Sequence, residues 1–182
     1  MRYFYDVGAN VGQTFDQYVL PGNFGDTWVY AFEPSPRHLS ALRAKADLVM
    51  RLAPRPIAGV TIVPAALGRL LGLQRLYEKT TLLSDSLRND WRRNLETDVV
   101  VEVPVLPLSA FIQSHSRSDD RIEIKLDVEG AECDILENLL TDRDILPRIA
   151  SLHVEWHGDD PRRVALVERL AQRKIAVQRW MF

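Results

Sequence analysis

Cysteine is almost missing from this chain: Cys133 is the single one among 182 residues. One cysteine excludes an intramolecular disulfide and any Cys-based zinc cluster. Its helical, apolar surroundings point to a small buried side chain rather than a nucleophile. No apolar run approaches the ~18 residues that a bilayer span needs. The opening Met1–Asp6 also lacks the apolar stretch of a secretory leader. The expectation is a cytoplasmic chain with no membrane partner. An excess of positive charge is absent too, since 23 Lys and Arg against 25 Asp and Glu leave a formal net charge of −2. The basic stretches Arg88–Arg93 and Arg162–Arg163 are short and read as solvated faces, so no nucleic acid is expected. There are no repeats and no low-complexity tracts. What remains is 46% hydrophobic and 26% charged, an ordinary globular composition, and the length suits one domain over 1–182.

The apolar pattern alternates between strands and helices. Tyr3–Val7, Trp28–Phe32, Val60–Ala65, Arg121–Leu126 and Ile149–Trp156 are compact runs suited to buried parallel strands. Ile175–Trp180 reads as a final strand. Val11, Phe15, Tyr18 and Val19 share one face of a short helix that Pro21-Gly22 ends. Ser35 reads as an N-cap with Pro36 at the first helical position, and Leu39, Leu42, Ala46 and Val49 form the stripe behind it. Further helices are expected over about Ala131–Leu140 and Pro161–Arg173. Leu73–Tyr77 and Val99–Val105 have no convincing helix between them and read as an inserted antiparallel pair. The sum is an α/β, Rossmann-like, mostly parallel doubly wound sheet. Ligands of such sheets bind at the carboxyl ends of the strands.

The chemistry-bearing residues cluster at those ends. Asp6-Val7-Gly8-Ala9-Asn10-Val11-Gly12-Gln13 is a glycine turn after the first strand. Gly8 permits positive φ, and Gly12 permits the helix start to lie close to the strand. Amides of the turn, Ala9 and Asn10 among them, are expected to hold a carboxylate, and Asp6 an ammonium. Such a turn suits an amino acid better than a dinucleotide, because Gly-x-Asn-x-Gly is not the Gly-x-Gly-x-x-Gly fingerprint. Glu33 closes the second strand, where an acid accepts hydrogen bonds from ribose hydroxyls. An amino-acid end plus a ribose describes S-adenosylmethionine. Asp127, Glu129 and Glu132 crowd the exit of Arg121–Leu126, and Glu155 and His157 share one side of the next strand end. For Glu132, stabilising the following helix start is an equal alternative.

Taken together, Asp6–Gln13 (DVGANVGQ), Phe32–Pro36 (FEPSP) and Ile124–Glu132 (IKLDVEGAE) resemble the FkbM-type family of S-adenosylmethionine-dependent methyltransferases. Pro64–Gly68 and Glu155-Trp156-His157 add to the likeness, which spans nearly the whole chain. The resemblance implies a class I methyltransferase fold with Gly8, Asn10, Gly12 and Glu33 on the cofactor and Ala66 near its adenine. It also implies O-methylation of a sugar or small natural product. Leu108-Ser109 departs from the family's Leu-Asp. The chain starts at the first strand and ends one strand after the last helix, so the sheet is either trimmed or completed by a partner or a further segment.

For a hydroxyl acceptor the expected base is His157 assisted by Glu155, and then Asp127. No metal is expected; a divalent cation on Asp127, Glu129 and Glu155 is the alternative to a base. Trp91 and the stretch 79–94 are expected to recognise a small-molecule or carbohydrate acceptor, and a homo-oligomer stays open. Two rival readings are a cofactor-binding module without catalysis and an NAD-binding oxidoreductase.

Overall fold

Side chains along the first two strands point alternately into two separate cores. In β1 (Arg2–Val7) and β2 (Thr27–Phe32), Phe4, Val29 and Ala31 face one way, while Tyr5, Val7, Tyr30 and Phe32 face the other. Burial on both faces is what a parallel sheet under two helical layers requires. The computed structural model describes residues 1–19, 21–79, 85–88 and 97–180.

Helix α1 (Pro36–Leu52) covers the Phe4 face with Leu42, Ala46 and Val49. Beyond it lie β3 (Gly59–Val63), β4 (Ala66–Gly68), β5 (Gly72–Lys79) and β6 (Thr97–Pro107). Helix α2 (Leu108–His115) follows β6 without a loop, and β7 (Arg121–Leu126) leads to α3 (Glu132–Leu139). Strand β8 (Ile149–Val154), α4 (Arg163–Gln172) and β9 (Val177–Arg179) complete the described order. The main sheet runs β3-β2-β1-β7-β8-β9 with every pair parallel. The order reverses between β1 and β7, which makes their carboxyl ends the ligand crevice of a doubly wound sheet. No described helix is long and apolar enough to cross a membrane.

The inserted antiparallel pair is present as β5 and β6, but it belongs to a separate three-stranded sheet, β4-β6-β5. Strand β4 joins it in parallel to β6. Helix α2 is absent from the sequence reading because it is short and begins directly after Pro107. It buries Leu108, Phe111 and Ile112, with the Phe111 ring 5.1 Å from Tyr30 and 4.9 Å from Phe32. Burying one such ring stabilises the fold by roughly 2–3 kcal/mol. The helix expected after the glycine turn narrows to a π-helical turn, Phe15–Val19, that buries Phe15 and Val19. Strand β8 ends at Val154, so Glu155, Trp156 and His157 lie in the loop after it.

Candidate active site at the carboxyl ends of the strands

Four residues that directly follow strands, or nearly so, are held by their own amides. Gly8 N–H donates to Phe32 O at 3.1 Å and Glu33 N–H to Val63 O at 3.1 Å. Asp127 N–H donates to Val7 O at 3.0 Å and Glu155 N–H to Leu126 O at 2.8 Å. Each site residue thus extends the sheet ladder by one bond, and its side chain starts from a rigid backbone position. All four line one cavity of about 440 Å³, a volume within the range of small-ligand sites.

Gly8 has φ +79, and a Cβ there would lie 1.8 Å from the Asp127 carbonyl oxygen, so only glycine fits. Gly12, at φ +92, meets Lys45 and Leu42 of α1 instead and does not line the cavity. It brings the turn against a helix, where the sequence reading had it against the strand. The expected spare amides are already engaged. Ala9 N–H also donates to Phe32 O, Asn10 N–H to Glu33 Oε2, Val11 N–H to Asn10 Oδ1 and Gly12 N–H to Ala9 O. The polar groups that the turn offers the cavity are instead side chains, those of Asn10, Gln13 and Gln17.

Asp6 differs from its expected role for a reason of register. It pairs with Lys125 across β1 and β7, and both side chains sit on the same sheet face. Lys125 Nζ lies 3.0 Å from Asp6 Oδ1, 3.3 Å from Asp127 Oδ2 and 3.0 Å from Gly8 O. Asp6 is fully buried and also accepts from Thr14 Oγ1 at 3.2 Å. The ammonium that Asp6 holds is therefore the protein's own. Burial by itself would lower the Lys125 ammonium, but the carboxylates of Asp6 and Asp127 outweigh it and raise it. A buried pair of this kind is a strut beneath the turn.

Toward β3 the cavity is mainly apolar, with Phe32, Pro34, Ala65, Ala66, Leu67, Leu76 and Leu87. Its acid, Glu33, is 4% exposed and accepts from Asn10 N–H and Ser35 N–H, both at 2.8 Å. His38, in the first turn of α1, places Nδ1 3.4 Å from Glu33 Oε1. Ser35 occupies the N-cap position without capping: its hydroxyl donates to Glu78 Oε1 of β5 at 2.6 Å. Asp85 is gripped by the Arg37 guanidinium and by Lys79 N–H at 3.0 Å. Ser86 Oγ donates to Glu129 O at 2.6 Å, and Arg88 lies 3.6 Å from Asp160. Residues 85–88 therefore bridge the cavity from α1 to the loops after β7 and β8. Trp91 lies outside the described residues, as does most of the stretch 79–94.

Toward β8 the cavity is acidic, with Asp127, Glu129 and Glu155. His157 is not in its wall. Its Nδ1 lies 2.7 Å from Glu132 Oε1, and Nε2 lies 3.6 Å from Glu155, 3.7 Å from Glu129 and 3.8 Å from Asp127. Burial would lower the imidazole, but the Glu132 bond and the carboxylates of Glu129, Glu132 and Asp127 outweigh it and raise it. An imidazole inside four acids favours the charged form and is poorly placed to take a proton from an acceptor. Its orienting acid is Glu132, which also accepts Gly130 N–H at 3.1 Å, rather than Glu155. Burial followed by the Asp127 charge raises the Glu155 carboxyl. Asp127, Glu129 and His157 could also hold a metal ion, with one ligand atom each within 4.8 Å of the others.

Of the residues singled out from the sequence, Gly8, Asn10, Glu33, Ala66, Asp127 and Glu155 meet in the cavity. Asp6, Ala9, Gly12 and His157 lie behind its wall. Ser109 does not line it, and its N–H donates to Asn138 Oδ1 at 2.9 Å. Cys133 is 2% exposed, and burial pushes its thiol up to about 12, so it is a core residue. Lys125, His38 and Asp85 escaped sequence reasoning. Lys125 stood within the quoted IKLDVEGAE, and only strand register reveals its partners.

Comparison with known proteins agrees with this architecture. A family model described as the methyltransferase FkbM domain matches residues 6–173. The crystal structure of methyltransferase FkbM from Methylobacillus flagellatus KT is similar in fold, with a TM-score of 0.50 at 18% identity. The likeness covers 81% of this chain and 31% of that one, so the chain spans about a third of its neighbour's length. No curated protein matches the sequence. The family match takes in every strand end of the cavity, and the chain belongs to the FkbM methyltransferase domain family.

Proposed function

We propose that this domain transfers a methyl group from S-adenosylmethionine to a hydroxyl of a sugar or small natural product. One observation carries the reading: Gly8, Glu33, Asp127 and Glu155 converge from four strand ends on a cavity of about 440 Å³. Glu33 retains a lone pair for a ribose hydroxyl beyond the two amides it accepts and the His38 imidazole it faces. Ala65, Ala66 and Pro34 offer an apolar slot for a purine. With the turn amides engaged, the amino-acid end falls to side chains, its carboxylate to Asn10, Gln13 and Gln17 and its ammonium to Asp127 or Glu129.

When bound, the cofactor supplies a methyl group made electrophilic by its sulfonium. The chain's task is to align the acceptor and exclude water. The raised Glu155 carboxyl and Asp127 stand in the cavity wall and are the bases we favour. His157 then acts from behind, holding these carboxylates by its charge. A small-molecule or carbohydrate acceptor, neither nucleic acid nor membrane, suits the cavity.

Titration calorimetry with S-adenosylhomocysteine and with NAD tests the cofactor. Binding of the former alone is expected; preference for NAD would sink the reading. Isotopically labelled donor offered to sugars, lipids and small polyketides then tests transfer. Cofactor binding with no labelled product from any pool would favour a non-catalytic module.

A further inference from the structure

At the acidic end of the cavity one imidazole nitrogen sits at nearly equal distance from three carboxylates. His157 Nε2 lies 3.6 Å from Glu155 Oε1, 3.7 Å from Glu129 Oε1 and 3.8 Å from Asp127 Oδ1. None of these distances is that of a hydrogen bond. A nitrogen engaged as a simple donor closes on one acceptor, as Nδ1 does on Glu132 at 2.7 Å. An ion about 2.1 Å from each of two donors sets them roughly 3.0–4.2 Å apart, from a right angle to a straight line. All three spacings fall in that range.

Burial separates this group from an acidic surface patch. The side chain of His157 is 8% exposed, that of Glu129 13% and that of Asp127 18%. Donor atoms of Asp127, Glu129 and His157 all lie within 4.8 Å of one another. The ring is also oriented. Metal-bound histidines commonly donate their other N–H to a carboxylate, which fixes the ring and raises its basicity as a ligand. Glu132 is that carboxylate here, itself held by Gly130 N–H at 3.1 Å. Wherever the ring proton sits beforehand, an ion on Nε2 leaves only the Nδ1 proton, which Glu132 accepts, and any Nε2 proton passes to solvent.

We propose that Asp127, Glu129 and His157 bind one divalent transition-metal ion, such as Mn²⁺ or Zn²⁺, with Glu155 beside it. The imidazole favours such ions over Mg²⁺ and Ca²⁺. Asp127, Glu129 and Glu155 line the cavity while His157 stands behind them, so the open coordination positions face the cavity. Each carboxylate gives the ion one oxygen and keeps the other for its remaining contacts, the proposed ammonium among them. An acceptor hydroxyl then completes the coordination, and the ion makes that hydroxyl easier to deprotonate. This role for the acceptor rests on the function proposed above and deepens it; the ion site itself does not depend on it.

The test titrates Mn²⁺ into the whole, chelator-stripped chain and reads binding by calorimetry and electron paramagnetic resonance. One ion per chain is expected, with a nitrogen-14 coupling in its electron spin-echo spectrum. Mg²⁺ should need at least about tenfold higher concentration to displace it. His157→Ala should weaken Mn²⁺ binding at least about tenfold and remove the nitrogen coupling. Glu132→Gln should weaken binding about tenfold and keep the coupling. Thermal melting checks that both variants fold; should either fail, the coupling in the unaltered chain still decides. No bound ion, or an ion without a nitrogen coupling, would overturn the site. So would displacement by Mg²⁺ at equal concentration, or undiminished affinity in a folded His157→Ala. S-adenosylhomocysteine titrated into the same stripped chain tests the cofactor separately, so the failure of one reading is told from the failure of the other.

Discussion

The two ends of the cavity are built on opposite plans. At the β2–β3 end, Glu33, Asp85 and the His38 imidazole sit among apolar side chains, and the contacts of Glu33 are mostly to main-chain amides. At the β7–β8 end, Asp127, Glu129 and Glu155 crowd together, with Lys125 and His157 behind them. Few polar groups on fixed amides suit recognition of a neutral nucleoside. Many charges, each shifting the next, suit the handling of protons. On the function proposed above, the difference divides grip from chemistry across the sheet's reversal point.

The sharpest way to break this division is to remove the strut beneath the turn. Lys125→Met should lower stability by about 3–5 kcal/mol, because it leaves Asp6 as a buried charge without its cation. Adding Asp6→Asn should recover much of the loss, as read by chemical denaturation of the two variants side by side. Independent, additive losses would show that the pair is not the strut described.

Next in size is the acidic end. Glu155→Gln should reduce methyl transfer roughly 100-fold or more while affinity for S-adenosylhomocysteine stays within about threefold of the parent. His157→Gln should cost less turnover than Glu155→Gln. The reverse order would return the base to the histidine.

At the opposite end Glu33→Gln should weaken S-adenosylhomocysteine binding by about ten- to a hundredfold, the worth of a charge-assisted hydrogen bond or two. Methyl transfer at saturating donor should change far less. A variant that loses turnover but keeps its affinity would erase the division of labour.

The smallest effect concerns the anchor of residues 85–88. Hydrogen bonds from Arg162, helped by the Arg88 charge, lower the Asp160 carboxyl from its ordinary 3.8 to about 2. A carboxyl depressed on folding contributes stability that is present above its unfolded value and lost as pH falls through the folded one. Asp160→Asn should therefore flatten the loss of stability between about pH 4 and pH 2. An unchanged acid limb in a denaturation series would show that the contacts of Asp160 with Arg88 and Arg162 contribute nothing.

How much of this could be read from the sequence depends on the distance over which each feature is encoded. Buried parallel strands announce themselves locally, and Arg121–Leu126 and Trp28–Phe32 match their observed spans to within one residue. Glu33 and Gly8 were legible as cavity residues because a turn and a strand end are marked by adjacent residues. Asp6 was not, since its partner Lys125 comes from a strand 119 positions later and meets it only through register. Ser35 carries the letters of a helix cap, but tertiary contact with Glu78 claims its hydroxyl. His38 looked like one more polar helix residue until α1 was seated beside the insertion. Helix α2 lacked any turn signal between it and the preceding strand.

A bare Cα at position 8 has a further consequence. With the Asp127 carbonyl lying where a side chain would begin, the seat proposed for the donor and the place proposed for the departing proton share one main-chain joint. No rotamer lies between them. The angle of approach is therefore inherited from the backbone, and acceptor preference can drift along the rim without spoiling the aim.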